Sequence, residues 1–504
     1  MKNHNKIARS ILFITLTLTL MVGTYDGLAG EKDVLTFGTG VDVTTLDPHN
    51  WKTARDLLAI NLVYEGLLTL DPDLKVVPVL ATSWEMVNET TWKFNLRKGV
   101  KFHDGTPFNA DVAKINFDRM RNAPRAKGIF GIIDSVTIED DYTILIKTST
   151  PFAPFVNNVC HPVGAMISPK AIEQYGAQIG QYAVGTGKFV LKEWRPKEKI
   201  VLTRNENYWG EKPKLSSVIL KPIPEEGTRT MAFESGEIDI VTDPAPHRIA
   251  KYKTNKDIQI IAEPAARVVW LGFNVQDKVL SNVKLRRAIA YAINRNELVD
   301  YVAEGLAINA SAWIPEIVQK SNKKYNYDFD PKKAKELLKE AGYPEGLELN
   351  LWTPEGRYLK DKQIAEAIQA QLAAVGIRTK LSVKEWGSYV DALFRREQQL
   401  YIWGWAFQVG DPDAMLRENF LSKSSYNCTA YNNPEYDKLL DKAVATLNPP
   451  ARKDLYENIQ QLLIDDVVGC PIYHSENIFA VWKKVKGFRA HPLELVILDK
   501  TTVE

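Results

Sequence analysis

The chain has 504 residues, 45% of them apolar and 25% charged. This composition excludes a disordered chain, a collagen-like fibre, a coiled coil and a polytopic membrane protein, and at roughly 100–200 residues per domain it makes room for two or three domains. Lys and Arg total 64 against 62 Asp and Glu, so there is no strong field to hold nucleic acid through its phosphates.

Lys2, Lys6 and Arg9 precede an uncharged, mainly apolar stretch, Ile11 to Val22, and then the small residues Gly27 and Ala29. That order predicts a secretory signal peptide over residues 1–29. A stretch of this length rises about 18 Å as a helix, short of a bilayer core of ~30 Å. No Cys lies near the expected cleavage point, which argues against a lipid anchor. Cleavage after Ala29 removes three basic residues and one acid, leaving a neutral, exported product.

Val34 to Val43 reads as a strand and Arg55 to Leu68 as a helix with Leu58, Leu62, Val63 and Leu67 on one side. Trp92, Phe94 and Leu96 alternate with polar residues, and Lys98-Gly99 followed by Val100 and Phe102 predicts a hairpin. A second hairpin is expected from Val136 to Ile146, with Asp140-Asp141 as solvated turn residues. Downstream, Asp330 caps and Pro331 opens a helix striped by Ala334, Leu337, Leu338 and Ala341, which Gly342 closes. Asp361 to Val375 repeats the pattern and ends at Gly376. A strand, Ile377 to Val383, and two amphipathic helices, Pro434 to Leu447 and Ala451 to Val467, follow. Strands alternating with helices predict an α/β chain with partly parallel sheets.

Nothing in the sequence assembles a catalytic or cofactor site. G-x-S-x-G, H-E-x-x-H and Walker A runs are absent, and the seven histidines include no i, i+4 pair for a metal. Gly38-Thr39-Gly40 and Gly185-Thr186-Gly187 lack the third glycine of a dinucleotide loop. His103 and Asp104 are adjacent, so on a strand they point to opposite faces; a turn is expected there. Cys428 and Cys470 are candidates for a disulfide, with Cys160 left free, although spacing alone cannot set the connectivity.

Several segments resemble one family: Ala81-Thr-Ser-Trp84, Thr91-Trp-Lys-Phe-Asn-Leu-Arg97, Gly99-Val-Lys-Phe-His-Asp-Gly-Thr-Pro107 and Asp111-Val112, with Leu46-Asp-Pro48, Val63-Tyr-Glu-Gly-Leu-Leu68, Arg204-Asn205, Tyr208-Trp209, Ser235-Gly-Glu-Ile-Asp239, Lys284-Leu-Arg-Arg-Ala288, Ala292-Ile293 and Leu337-Leu-Lys-Glu-Ala-Gly-Tyr-Pro344. They look like the extracytoplasmic solute-binding proteins of peptide- and nickel-type ABC importers, solute-binding family 5. Lys188 departs from the family, which usually has Pro after Gly-Thr-Gly; a local loop change is expected there.

This resemblance implies a periplasmic binding protein-like α/β fold of class II, cluster C. Two lobes with mixed sheets would be joined by two hinge strands. Lobe I would comprise residues 30–272 plus 479–504, with an extra subdomain near 79–167, and lobe II residues 273–478. The implied function is capture of a peptide or peptide-like carboxylated small molecule between the lobes, with delivery to an inner-membrane ABC permease and its ATPase subunits. A monomer in the periplasm is expected, without cofactor, metal, nucleic-acid partner or enzymatic activity. Nickel-chelate or haem carriage is the alternative within the family. An exported hydrolase, a periplasmic chaperone or a receptor is the alternative outside it.

The resemblance also nominates ligand-binding residues. Peptide binders of the family hold the ligand carboxylate with an Arg after a Pro-x-x motif, and Pro354-Glu-Gly-Arg357 fits; the guanidinium fork suits a carboxylate. Trp386 and Trp405 match pocket-lining aromatics. Those binders place an Asp three residues after the second Trp to pair with the ligand ammonium, and here that position is Gln408. A neutral amide cannot cancel the charge, so either another acid, such as Asp411 or Asp56, takes the amine or the ligand has no free amine there. Arg55 is a candidate second cation. Together these residues favour an acidic ligand: a glutathione-like peptide, an opine-type conjugate or a carboxylate-rich chelate.

Overall fold

The computed structural model describes residues 33–504. The expected signal segment lies outside the described residues.

An eleven-stranded mixed sheet runs through the molecule. At one end Leu347–Pro354 pairs in parallel with Ile377–Lys384 and with Leu400–Ala406. At the other end Val34–Thr39 pairs in parallel with Ser217–Pro222 and Ile240–Thr242. Two long strands, Ile258–Phe273 and Gly469–Trp482, join these ends. They pair from Ile258 to Pro264, lose register, and resume at Val268. Over the interruption, the Ala266 amide donates to Pro492 O at 2.9 Å, and Ala266 O accepts from Phe407 N at 2.7 Å. The break is therefore stapled to two loops that reach it from far along the chain.

Each end of the sheet has its own hydrophobic core. One draws on residues 35–240 and 479–498, the other on residues 266–473. The helix Ala54–Val63 shows how local sequence builds the first. Leu57, Leu58, Ile60, Leu62 and Val63 are buried, each worth about 1.5–3 kcal/mol against exposure. The start of this helix is fixed by a capping box between Thr53 and Asp56. Helix Pro331–Glu340 is capped by Asp330, and Gly342 turns the chain with φ +95°. The helices Asp361–Ala374, Pro434–Ala445 and Pro449–Asp465 also match the sequence expectation.

A separate four-stranded antiparallel sheet holds Ala81–Asn88, Thr91–Leu96, Thr143–Thr148 and Ile133–Asp140. Its second hairpin is the expected one, and the Asp140 carboxylate accepts from Tyr142 N at 2.8 Å in the turn. The first hairpin is not the expected one. Thr91–Leu96 pairs with Ala81–Asn88 on one edge and Thr143–Thr148 on the other. Both edges are thereby filled, and the chain after Gly99 makes only an isolated bridge from Lys101 to Pro107. His103 and Asp104 lie in the turn between; His103 Nε2 is 3.0 Å from Gly187 O, and Asp104 accepts from Thr106 N at 3.0 Å.

All three cysteines are free and buried, so Cys428 and Cys470 do not form a disulfide. Cys470 Sγ instead accepts from the Tyr325 hydroxyl at 3.0 Å.

Candidate functional site

The site forms beside the interrupted strand. Leu347–Pro354 ends in a turn in which Gly356 adopts φ +77°. The buried Asp361 carboxylate holds that turn, accepting from the amides of Gly356 at 3.0 Å, Arg357 at 2.9 Å and Tyr358 at 3.0 Å. Asp361 thus fixes the backbone and leaves the Arg357 side chain free to project. Tyr358 donates through its hydroxyl to Gly404 O at 3.3 Å, tying the turn to Leu400–Ala406. Gly404 permits this approach, since a Cβ there would lie 2.8 Å from the Tyr358 ring.

Arg357 is exposed as a residue, but its guanidinium is flanked by rings. Its Cζ lies 5.0 Å from the centroid of Trp386 and 5.2 Å from that of Tyr358. No carboxylate among the described residues forms an ion pair with it. Loss of solvation, and then the neighbouring Arg267 guanidinium, depress its pKa below the usual arginine value. An unpaired guanidinium on an aromatic platform is equipped to receive a carboxylate by two parallel hydrogen bonds.

The platform continues beneath it. Trp386 stacks on Trp403 at 5.6 Å and on Tyr389 at 6.0 Å. Trp405 meets Tyr426 edge-on at 5.4 Å and is only partly buried. Trp403 is anchored by an indole hydrogen bond of 3.0 Å to Asn419 Oδ1. Gln408 follows on an exposed turn. Groups from the other core reach that turn: Asn157 Nδ2 donates to Val409 O at 3.0 Å, and Leu70 and Leu74 lie within 3.4 Å of where a Cβ on Gly410 would sit.

The two acids nominated for a ligand ammonium are already engaged. Arg452 grips the buried Asp411 at 2.6 and 2.8 Å, and Asp413 N donates to the same carboxylate. Asp56 is fully buried and accepts from the amides of Thr44 at 2.6 Å, Lys52 at 2.9 Å and Thr53 at 2.8 Å. Arg55 pairs with Asp243.

Sequence reasoning missed Arg267 and Glu494. Arg267 sits in the register break and pairs with Glu494 at the tip of the turn His491–Leu495. Burial opposes ionisation of Glu494, but Arg267, then Arg55 and Arg357, hold its pKa below the usual carboxylate value. The four side chains therefore form one electrostatic group. A separate cavity of about 410 Å³ lies elsewhere, lined by Glu65, Tyr208, Trp209 and His491 among others. Its Glu65 carboxylate accepts from Tyr208 at 2.6 Å, Thr186 at 2.8 Å and Trp209 at 2.9 Å, so it is not poised for a ligand cation. Among the described residues no cluster of His, Cys, Asp and Glu is arranged to hold a metal ion.

The model of bacterial extracellular solute-binding proteins, family 5 middle region, matches residues 75–427. The chain belongs to this family. Its relatives include the glutathione-binding protein GsiB of Pectobacterium atrosepticum, 32% identical over 476 residues and 92% of each chain, and the GsiB of Escherichia coli, with the same identity and coverage. Among solved structures, the periplasmic binding protein DppA of Helicobacter pylori, in complex with the peptide STSA, is 29% identical with a TM-score of 0.78; the match covers 93% of this chain and 98% of that one. The agropinic acid complex of AgaA from A. tumefaciens is 25% identical with a TM-score of 0.77, over 94% of this chain and 99% of that one. This family 5 protein accordingly has the expected cluster C fold. It is the solute-binding component of an ABC importer and not an enzyme. Among the described residues no helix is long and apolar enough to cross a membrane.

Proposed function

We propose that this protein captures a small peptide-like acid of the glutathione or opine-conjugate class in a periplasmic cleft between two lobes. It delivers the ligand, as a monomer, to an inner-membrane permease with ATPase subunits. The lobes are residues 30–272 plus 479–504, with the subdomain near 79–167, and residues 273–478. A ligand touching both lobes favours closure by its differential affinity for the closed state, the hinge mechanism of periplasmic binding proteins.

The observation that carries this reading is the unpaired Arg357 guanidinium over Trp386. A carboxylate placed there gains two charge-assisted hydrogen bonds. Two further features support an acidic ligand. Gln408 is neutral where the family's peptide binders carry an Asp, and neither Asp411 nor Asp56 is free to replace it. The GsiB relatives bear the name of a ligand with two carboxylates and one ammonium.

Native mass spectrometry of protein purified without denaturation, followed by calorimetric titration with glutathione, opines, neutral dipeptides and nickel chelates, tests the reading. Carriage of a carboxylated peptide-like compound and its tight rebinding are expected. Binding of a nickel chelate alone, or chemical conversion of any compound, contradicts it.

A further inference from the structure

Resting on the reading just given, the charge balance around Arg357 bears on which acids the site accepts. Tyr358 ties the Arg357 turn to Gly404 O, and Ala406 of the same strand is paired with Arg267; Arg55, Arg267 and Arg357 each lie within electrostatic reach of Glu494. Arg55 is answered by Asp243 and Arg267 by Glu494. Asp361 also faces this region, but its carboxylate is turned to backbone amides. Of the three guanidiniums, that of Arg357 alone has no ion-pair partner among the described residues.

Glu494 reaches this position at a conformational cost. It sits at φ +62°, in the left-handed region, which disfavours a non-glycine side chain. A glycine would relieve that turn, yet a carboxylate stands there, and its Arg267 partner lies where the long strand leaves its register. Side chains of Arg267 and Glu494 are 15% and 22% exposed, so the pair is sheltered but not sealed from solvent.

We propose that Glu494 is a specificity-determining residue: a built-in carboxylate that pairs with Arg267, leaves Arg357 as the one unpaired guanidinium of the three, and thereby selects ligands of net charge −1 over those of net charge −2. Glutathione carries the first charge at neutral pH. A ligand with one more carboxylate must compete with Glu494 for Arg267.

The test compares two adducts of nearly equal shape, S-carboxymethylglutathione and S-carbamoylmethylglutathione, with glutathione itself, by calorimetric titration. Wild-type protein should bind the carbamoylmethyl adduct better. Glu494→Gln should shift the affinity ratio of the two adducts tenfold or more toward the acid. Arg267→Gln leaves Glu494 free to turn to Arg357 and should weaken glutathione tenfold or more. The double variant restores the balance and should return both quantities toward wild type. A ratio unchanged within twofold in Glu494→Gln, with glutathione still bound, overturns the inference and leaves the proposed function standing. If wild-type protein binds none of the three compounds, the inference falls, and the proposed function stands only if an opine conjugate binds. Should Glu494→Gln fail to melt cooperatively, Arg267→Gln decides alone, and unaltered glutathione affinity overturns the inference.

Discussion

The guanidinium carbon of Arg357 lies 5.0 Å from the centroid of the Trp386 ring, and that ring in turn stacks on Trp403 at 5.6 Å with planes 19° apart. The cation is thus positioned by aromatic contact and not by a neighbouring acid. Asp361 is adjacent but accepts from the backbone of the same turn. A buried acid paired with Arg357 would have to be displaced by a ligand carboxylate; here no such exchange is needed.

Gln408 gives the first prediction. Substitution Gln408→Asp places a negative charge on the exposed turn after Trp405. Calorimetry should show tighter binding of dipeptides with a free amino terminus, by about 1.5–3 kcal/mol if the new carboxylate meets the ammonium. Abolished binding, with no gain for any amine, would show that this turn does not lie at the amino end of the ligand.

Asp361→Ala removes the acceptor for several amides of the Arg357 turn. Leaving the buried Tyr358 amide unsatisfied costs about 1–3 kcal/mol. Urea denaturation should reveal that loss, and carboxylate affinity should fall because Arg357 is no longer held in place. Unchanged stability and affinity would mean that the turn is held by something other than Asp361.

Helix Pro331–Glu340 and helix Asp361–Ala374 were legible in the sequence because each carries its own stop signal, and Gly342 and Gly376 adopt φ +95° and +100°. The hairpin expected across Lys98-Gly99 was not, because the two strands that fill the edges of Thr91–Leu96 start at Ala81 and Thr143. Local alternation cannot announce that competition. The site divides in the same way. Arg357 stood out through its motif, whereas Arg267 and Glu494 lie 227 positions apart and meet only through the break at Pro264–Val268. Asp411 looked free in the sequence and is gripped by Arg452 from a distant helix.

Buried histidines predict the acid response. His474 is buried, with Nε2 3.0 Å from Ala312 O, and burial depresses its pKa from 6.5 to about 4. The unfolded chain therefore takes up this proton first, and the His474 contribution to stability is lost as pH falls from 6.5 toward about 4. Its steepest slope is about 1.4 kcal/mol per pH unit. Urea melts of wild type and His474→Gln should diverge over that window, with the variant less sensitive to acid. Parallel pH profiles would contradict the buried neutral imidazole.

Burial pushes the thiols of Cys160, Cys428 and Cys470 up to about 12. A thiol-reactive chromophore should find none of them in native protein at neutral pH and all three after denaturation without reductant. Detection of one thiol instead would indicate a disulfide.

The most direct test of the account is calorimetric titration of wild-type protein and Arg357→Ala with glutathione and with its glycyl ethyl ester, which lacks one carboxylate. Wild type should prefer the acid by about 1.5–3 kcal/mol, the usual worth of hydrogen bonds to a charged group, and Arg357→Ala should erase that preference. Equal affinity of wild-type protein for acid and ester, or a preference that survives in Arg357→Ala, would contradict the account.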